Sequence, residues 1–189
     1  HELVRSRAAS AIGKKKPKDA IPLLIALLGD PSSEGRHETG LALKEFGQTA
    51  VPPLIESLGH ANAVIRRGSA WVLGMIGDPT AAESLKETLK DADHQVRAAA
   101  IDSLRTIDPS RAVDALSTAV EQGGVIAQSK AIHALAQTQD QKSVTTLIAS
   151  LKNSAWTTRM NAANALGAAR VPEAVDPLIP LLNDQEEQV

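Results

Sequence analysis

The stretch Asp91–Leu104, DADHQVRAAAIDSL, decides the fold. Stepping by 31 from Leu104 reaches Leu135 and Leu166 downstream, and Leu73, Leu43 and Ile12 upstream, with one step of 30 between Leu43 and Leu73. Arg97 belongs to a second series of the same period: Arg5, Arg36, Arg66, Gln128 and Arg159. A third runs Leu24, Leu54, Leu85, Leu116, Leu147 and Leu178. A fourth, four residues on, runs Leu28, Leu58, Leu89, Val120, Leu151 and Leu182. Four registers agreeing over six copies mark a solenoid, in which each copy is too small to bury its own apolar face and is covered by its neighbours.

Composition narrows the core. Aromatic residues make up 2% of the 189 residues while hydrophobic residues make up 43%, so the interior is built from Ala, Leu, Ile and Val. That suits close-packed helices better than a sheet, which favours aromatic and β-branched side chains. The formal net charge of -2 gives no bulk attraction to nucleic acid or to an anionic membrane. Absence of Cys excludes disulfides and thiolate metal sites. No apolar run approaches the roughly 18 residues that span a bilayer, and no signal peptide is visible, so the expected location is cytoplasmic.

Each copy reads as two helices, A and B. Asp78-Pro79 is an N-cap followed by Pro in the first turn, and Ala82, Leu85 and Leu89 share one face of the A helix behind it. After a turn at Lys90 to Asp93, the B helix runs from about His94 to Ile107 with Val96, Ala100, Ile101 and Leu104 inward. By the same register the other B helices are His1 to Gly13, Ser33 to Phe46, Val64 to Gly77, Val125 to Thr138 and Trp156 to Ala169. Lys14 to Lys18 reads as a connection, and Gly123-Gly124 loosens the start of the fifth B helix. The last A helix spans Pro172 to Leu182; Pro180, deep inside it, predicts a kink or a late start near Pro177. The first B helix lacks an A partner and the next Arg would fall just after Val189. The expectation is a single array over residues 1–189 that begins and ends within a repeat, as part of a longer chain.

The segments VRAAAIDSL, IRRGSAWVLGMIGDPTAAESLKETL and TRMNAANALGAARVPEAVDPLIPLL resemble HEAT repeats, most closely the short subtype named after phycobilisome lyases. The resemblance covers essentially the whole chain. It implies an all-α, right-handed α-solenoid of about six helix pairs, with A helices on the convex side and B helices lining a concave groove. It also implies that the recurring Arg bonds an acidic residue or a carbonyl in the turn before its helix. Six residues before the Arg stand Asp30, His60, Asp91 and Asn153, a partial fit to an acidic partner, and the fifth copy departs with Gln122 and Gln128. These arginines are expected to join repeats.

Function is sought where the copies differ. Three and six residues after the Arg the side chains are mostly small, as at Ala100 and Ser103, and seven after it stands the Leu or Ile anchor. Five after it the series is Ser10, Leu41, Trp71, Asp102, His133 and Asn164, and one after it Ser6, His37, Arg67, Ala98, Ser129 and Met160. With Glu38, Lys130, Glu45, Met75 and Gln137 these share one helical stripe. The fold makes no fixed demand there, so the stripe is free for a partner. Trp71 can either face solvent, flanked by Arg67, Met75 and Leu41, or fold down between repeats as core. Trp156 reads as a local staple.

Other chemistries fit poorly. Deoxyhypusine hydroxylase also has short HEAT-like repeats and holds two irons with His-Glu pairs at the register of His37-Glu38. The other copies offer no second pair in register, and one pair cannot build a dinuclear site. His133 and Asp102 share a slot on successive B helices and can face each other, but no nucleophile or third group accompanies them. HEAT-like DNA glycosylases need a basic concave track; here Glu38, Glu45 and Asp102 interrupt it. The leading expectation is a non-enzymatic scaffold. It would bind another protein through Trp71, Arg67, Leu41, Met75, His37, Asp102 and His133, with no cofactor, metal, membrane or nucleic acid. The alternative, implied by the subtype, is a phycobilin lyase or lyase-like chaperone subunit acting on bilin-carrying antenna proteins.

Overall fold

The structure, a computed structural model, describes residues 2–186 except 108, 123 and 139. Every regular element among the described residues is helical, and two compact units emerge, His1–Asp108 and Pro109–Val189. In the first unit the B helices are α1 (Glu2–Lys15), α3 (Ser33–Glu45), α5 (Ala63–Ile76) and α7 (His94–Ile107). They alternate with the A helices α2 (Ile21–Leu27), α4 (Val51–Ser57) and α6 (Ala82–Thr88). In the second, A helices α8 (Pro109–Gln122), α10 (Gln141–Ser150) and α12 (Val175–Leu178) alternate with B helices α9 (Val125–Thr138) and α11 (Trp156–Ala168). His1, Gly123 and Val189, and the side chain of Gln122, lie outside the described residues.

The apolar registers form the core. Leu24, Leu54, Leu85, Leu116 and Leu147 are buried at the A helices, and Leu43, Leu73, Leu104, Leu135 and Leu166 at the B helices. Leu182, in the same register as buried Leu28, Leu89 and Leu151, is 83% exposed. Local signals set the helix ends. Ser32, Asn62 and Asp140 cap α3, α5 and α10 by accepting from the backbone N–H groups of Gly35, Val64 and Lys142.

Two boundaries differ from expectation. The α1 helix runs to Lys15, through part of the expected connection, and ends only where Pro17 forbids helical backbone at Lys16, which takes φ +52°. The last A segment is broken into a 3-10 turn at Pro172–Ala174, the four-residue α12, and a second 3-10 stretch at Ile179–Asn183. Pro180 has no N–H to continue the α ladder, so the expected kink takes the form of a change of helix type. The A helices α2, α4 and α6 likewise open on a 3-10 turn, each with a buried alanine, Ala20, Ala50 or Ala81, at the junction.

Two pairs of B helices in the first unit approach closely at one slot of the repeat. Eight residues after the repeat Arg stand Gly13 in α1, Gly74 in α5 and Gly167 in α11, where a Cβ on Gly167 would meet nothing within 4 Å. A Cβ on Gly13 would meet Ala42 Cα at 2.7 Å, and one on Gly74 would meet Ser103 Cα at 2.9 Å. The α1–α3 and α5–α7 pairs therefore approach backbone to backbone. The hydroxyl of Ser103 lies 2.8 Å from the carbonyl oxygens of both Ala70 and Ala99, which ties α7 to α5. In α3 the slot holds Lys44, and the α3–α5 pair packs less closely.

The arginines join repeats by a division of labour: the expected carbonyl of the preceding turn is one partner, and the acidic partner lies elsewhere. Arg36, Arg66, Arg97 and Arg159 each donate from Nη1 to the backbone oxygen six residues before them, on Asp30, His60, Asp91 and Asn153, at 2.6–2.8 Å. Main-chain oxygens accept, so the side chain at that position is irrelevant to this bond and the partial acidic fit is explained. The acidic partner sits instead in the following turn, 25 residues on. Arg66 Nε and Nη2 grip Asp91 at 2.7 and 2.8 Å; Arg5 grips Asp30 and Arg159 grips Asp184 in the same fork. Asp91 also accepts from the Asp93 N–H, which shapes the turn into α7. In the fifth copy Gln128 donates to the Val120 oxygen at 3.0 Å and accepts from the Thr158 hydroxyl at 2.9 Å, a neutral substitute for the fork. Among the described residues Arg97 Nε is buried without a partner; its 25-residue counterpart in register is Gln122.

These forks make stability depend on acid. The Arg5 guanidinium and the Ser32 N–H hold the Asp30 carboxyl below the usual carboxylate range, and Arg66 does the same for Asp91, in both cases against the opposing effect of burial. Arg159 and the Glu186 N–H lower Asp184. A carboxyl whose folded pKa lies below its unfolded value of about 3.9 stabilises the fold fully above that value, and the contribution is lost as pH falls through the lowered pKa. Thermal midpoints should therefore be flat through neutral pH and fall below about pH 4. Asp91→Asn should show a shallower acid slope than the parent; parallel slopes in a pH series of melts would contradict the role of the fork.

Candidate protein-binding face

The α3 and α5 helices place the predicted stripe side by side. Position five of the repeat carries Trp71 in α5, and its indole reaches back over α3. The ring stacks on His37, with centroids 5.5 Å apart and planes 27° from parallel. One turn further along α3, Gly40 makes the seat, since a Cβ there would stand 2.2 Å from Trp71 Cζ3 and 3.0 Å from Cε3 and Cη2. At this slot every other copy has a side chain: Ala9, Ala70, Ile101, Ile132 or Ala163. The indole is thus half-buried, with one part set against the α3 backbone and the rest in solvent. The two placements open to the sequence are combined, because Trp71 packs between repeats and still reaches the surface.

The other candidates surround it unevenly. His37 is exposed, and Leu41, one turn along the same ridge, is 37% exposed. Met75 is half-buried on α5. Arg67 turns the other way along the face and donates to the side-chain oxygen of Gln95 on α7, so its guanidinium is anchored toward α7 while Trp71 leans toward α3. Asp102 is exposed on α7. His133 is exposed on α9 in the second unit, where its Nε2 shares a hydrogen bond with Gln137 at 3.0 Å. His37, Leu41, Arg67, Trp71, Met75 and Asp102 therefore belong to B helices of the first unit, and His133 to the second.

Gly40 and Gln95 escaped the reading of the sequence. A signal for Gly40 was present: the slot loses its side chain in the copy just before the one that gains the largest residue. Gln95 precedes the repeat Arg and varies without pattern, so nothing marked it. Among the described residues no three His, Asp or Glu side chains gather as metal ligands would, and no helix is long and apolar enough to cross a membrane. Chemically the face offers aliphatic flanks around a fixed Trp and a tethered Arg, the last two being residue types enriched at protein-binding hot spots.

Comparison with known proteins supports this architecture. Among solved structures, the complex of CpcE and CpcF of phycocyanin lyase from Nostoc sp. is 27% identical over 93% of this chain and 75% of that chain, with a TM-score of 0.52. The Escherichia coli protein YibA is 23% identical over 96% of this chain and 70% of its own, with a TM-score of 0.69. An engineered protein, 18% identical over 89% of this chain and 93% of its own, reaches 0.52. The last two likenesses concern the fold alone. No curated protein matches in sequence. The profile of HEAT repeats matches residues 1–62, 30–105, 51–126 and 125–189, which together span the chain. With its paired helices, its arginine joints and that match along its whole length, the chain belongs to the HEAT-repeat family.

Proposed function

We propose that the chain is a non-enzymatic scaffold whose B-helix face in the first unit binds another protein, with Trp71, His37, Leu41, Arg67 and Met75 at the centre of contact and Asp102 extending it along α7; His133 is a separate candidate contact on the second unit. The observation that carries this reading is the seat of Trp71. A large aromatic ring is held in one orientation by Gly40 and His37 while part of it stays in solvent. A ring fixed in advance loses little entropy on binding, which is what makes aromatic anchors efficient. The fold does not require Trp at this slot, since the other copies manage with Ser10, Leu41, Asp102, His133 and Asn164.

Partner retention tests it. Trp71→Ala should weaken binding by about 2 kcal/mol or more, roughly thirtyfold, with the helical signal intact. Leu23→Ala, which removes a 66% exposed leucine from the A helix α2, should leave binding unchanged. Equal loss in both variants, or none in Trp71→Ala, would refute the reading.

The likeness to the CpcE–CpcF complex of phycocyanin lyase favours a second reading, a phycobilin lyase or lyase-like subunit acting on bilin-carrying proteins. It makes a different demand. Adding free bilin to the chain should then change the visible absorbance of the pigment, whereas a scaffold that reads only protein leaves the spectrum as it was.

A further inference from the structure

At one joint of the first unit, a donor stands where the arginine forks elsewhere meet an acceptor. Arg36 on α3 is seated as Arg66 is on α5. Its Nη1 donates to the Asp30 and Pro31 oxygens at 2.6 and 2.9 Å, as Arg66 Nη1 does to the His60 and Ala61 oxygens at 2.8 and 3.1 Å. The other edge of Arg66, Nε and Nη2, then grips Asp91 in the following turn. The same edge of Arg36 has no hydrogen-bond or ion-pair partner among the described residues.

The turn position that holds Asp30, Asp91 and Asp184 in the three forks holds His60 before α5. The ring is set as those carboxylates are. His60 Nδ1 accepts from the Asn62 N–H at 2.9 Å, where each Asp accepts from the N–H two residues on at 2.8–3.0 Å. An accepting Nδ1 leaves the proton of the neutral ring on Nε2, so His60 is a second donor. Two donors cannot satisfy each other. The α3–α5 pair packs less closely than its neighbours, as expected where no fork draws the joint tight. Nearby acids do not fill the gap: the Asp30 carboxylate is held by Arg5 and the Ser32 N–H, and Glu34, in the first turn of α3, is exposed. Arg36 is half-buried and His60 exposed, so the joint opens to solvent.

We propose that Arg36 and His60 form a seat for a carboxylate, filled by an Asp or Glu side chain of a protein partner in the place that Asp91 fills for Arg66. The planar Nε–Nη2 edge matches the two oxygens of a carboxylate, and the His60 Nε2–H adds a further bond. The seat rests on the reading that the chain binds protein only for the source of the carboxylate, and its chemistry stands apart from Trp71.

Acetate tests the seat on the chain alone. Replacing chloride with acetate at constant ionic strength should shift the Arg36 Nε–H and His60 ring signals saturably in NMR spectra. Arg36→Gln should lower the affinity about threefold, the size of a partly exposed ion pair. His60→Asp should close the fork from within, abolish the acetate response, raise the thermal midpoint and weaken retention of the partner. Equal responses to acetate and chloride, an acetate response that survives His60→Asp, or a lower midpoint in that variant would overturn the seat. Tighter binding of inorganic phosphate than of acetate would overturn the carboxylate in favour of a phosphate group, and full retention of the partner by His60→Asp would overturn the partner as its source. A failed acetate titration with Trp71→Ala still releasing the partner removes the seat alone; acetate binding with Trp71→Ala without effect removes the Trp71 face and keeps the seat.

Discussion

Leu73→Ala is expected to destabilise the first unit by about 2–5 kcal/mol, the range for large-to-small changes at fully buried sites. Leu73 is 0% exposed and lies on α5, between the A helix α4 and the neighbouring B helices. Its flanks explain why the upper part of the range applies. On one side Gly74 already brings α5 against Ser103 backbone to backbone, so α7 cannot move closer to fill the void. On the other, Trp71 is wedged against Gly40 and holds α3 off. A cavity that neighbours cannot collapse into costs the lost contacts as well as the lost transfer energy. Urea unfolding with the slope unchanged and the midpoint lowered checks it. A loss under about 1 kcal/mol would mean that this leucine is not core.

Asp91→Ala should cost about 2–4 kcal/mol, by the combined loss of charge-assisted bonds and the stranding of a mostly buried guanidinium. The Arg66 and Asp91 side chains are 16% and 11% exposed, so water replaces the broken fork poorly. The Asp91 carboxylate also accepts from the Asp93 N–H, so the turn into α7 loosens together with the joint between repeats. The backbone oxygen of Asp91, which accepts from Arg97, is untouched by the substitution. The variant thus separates the fork from the main-chain bond. Arg66→Ala should lose a comparable amount, and the double variant should lose less than the sum, since each single change removes the same pair. Additive losses in a double-mutant cycle would show that the two residues act independently.

Much of this was legible in the residues. The 31-residue registers place every B helix within a residue or two of its observed bounds, because a solenoid repeats its constraints and each copy corrects the reading of the others. The Arg series was legible as a joint, and so was its carbonyl partner in the preceding turn, but its carboxylate partner was not. A turn-facing Arg suggests the turn before its own helix, whereas the carboxylate comes from the turn after. The spacing Arg5 to Asp30, Arg66 to Asp91 and Arg159 to Asp184 was there to be found, but it crosses a whole helix pair, and only stacking brings its ends together. The site was legible to a lesser degree. Trp71 stood out as a departure from its series, while its orientation depended on Gly40 in the copy before, a coupling between repeats that a single helix face does not show. The direction of Arg67 depended on Gln95, a long flexible pairing that no periodicity announces.

The claim on which the functional account rests is that Trp71 is seated yet reachable, and its own fluorescence measures that. In a Trp156→Phe background, where Trp71 is the single tryptophan, acrylamide quenching should be intermediate between that of free indole and that of a core residue. It should rise when Gly40→Ala removes the seat. An indole shielded from acrylamide in the parent, with Gly40→Ala making no difference, would place Trp71 in the core and leave the face with nothing to offer a partner.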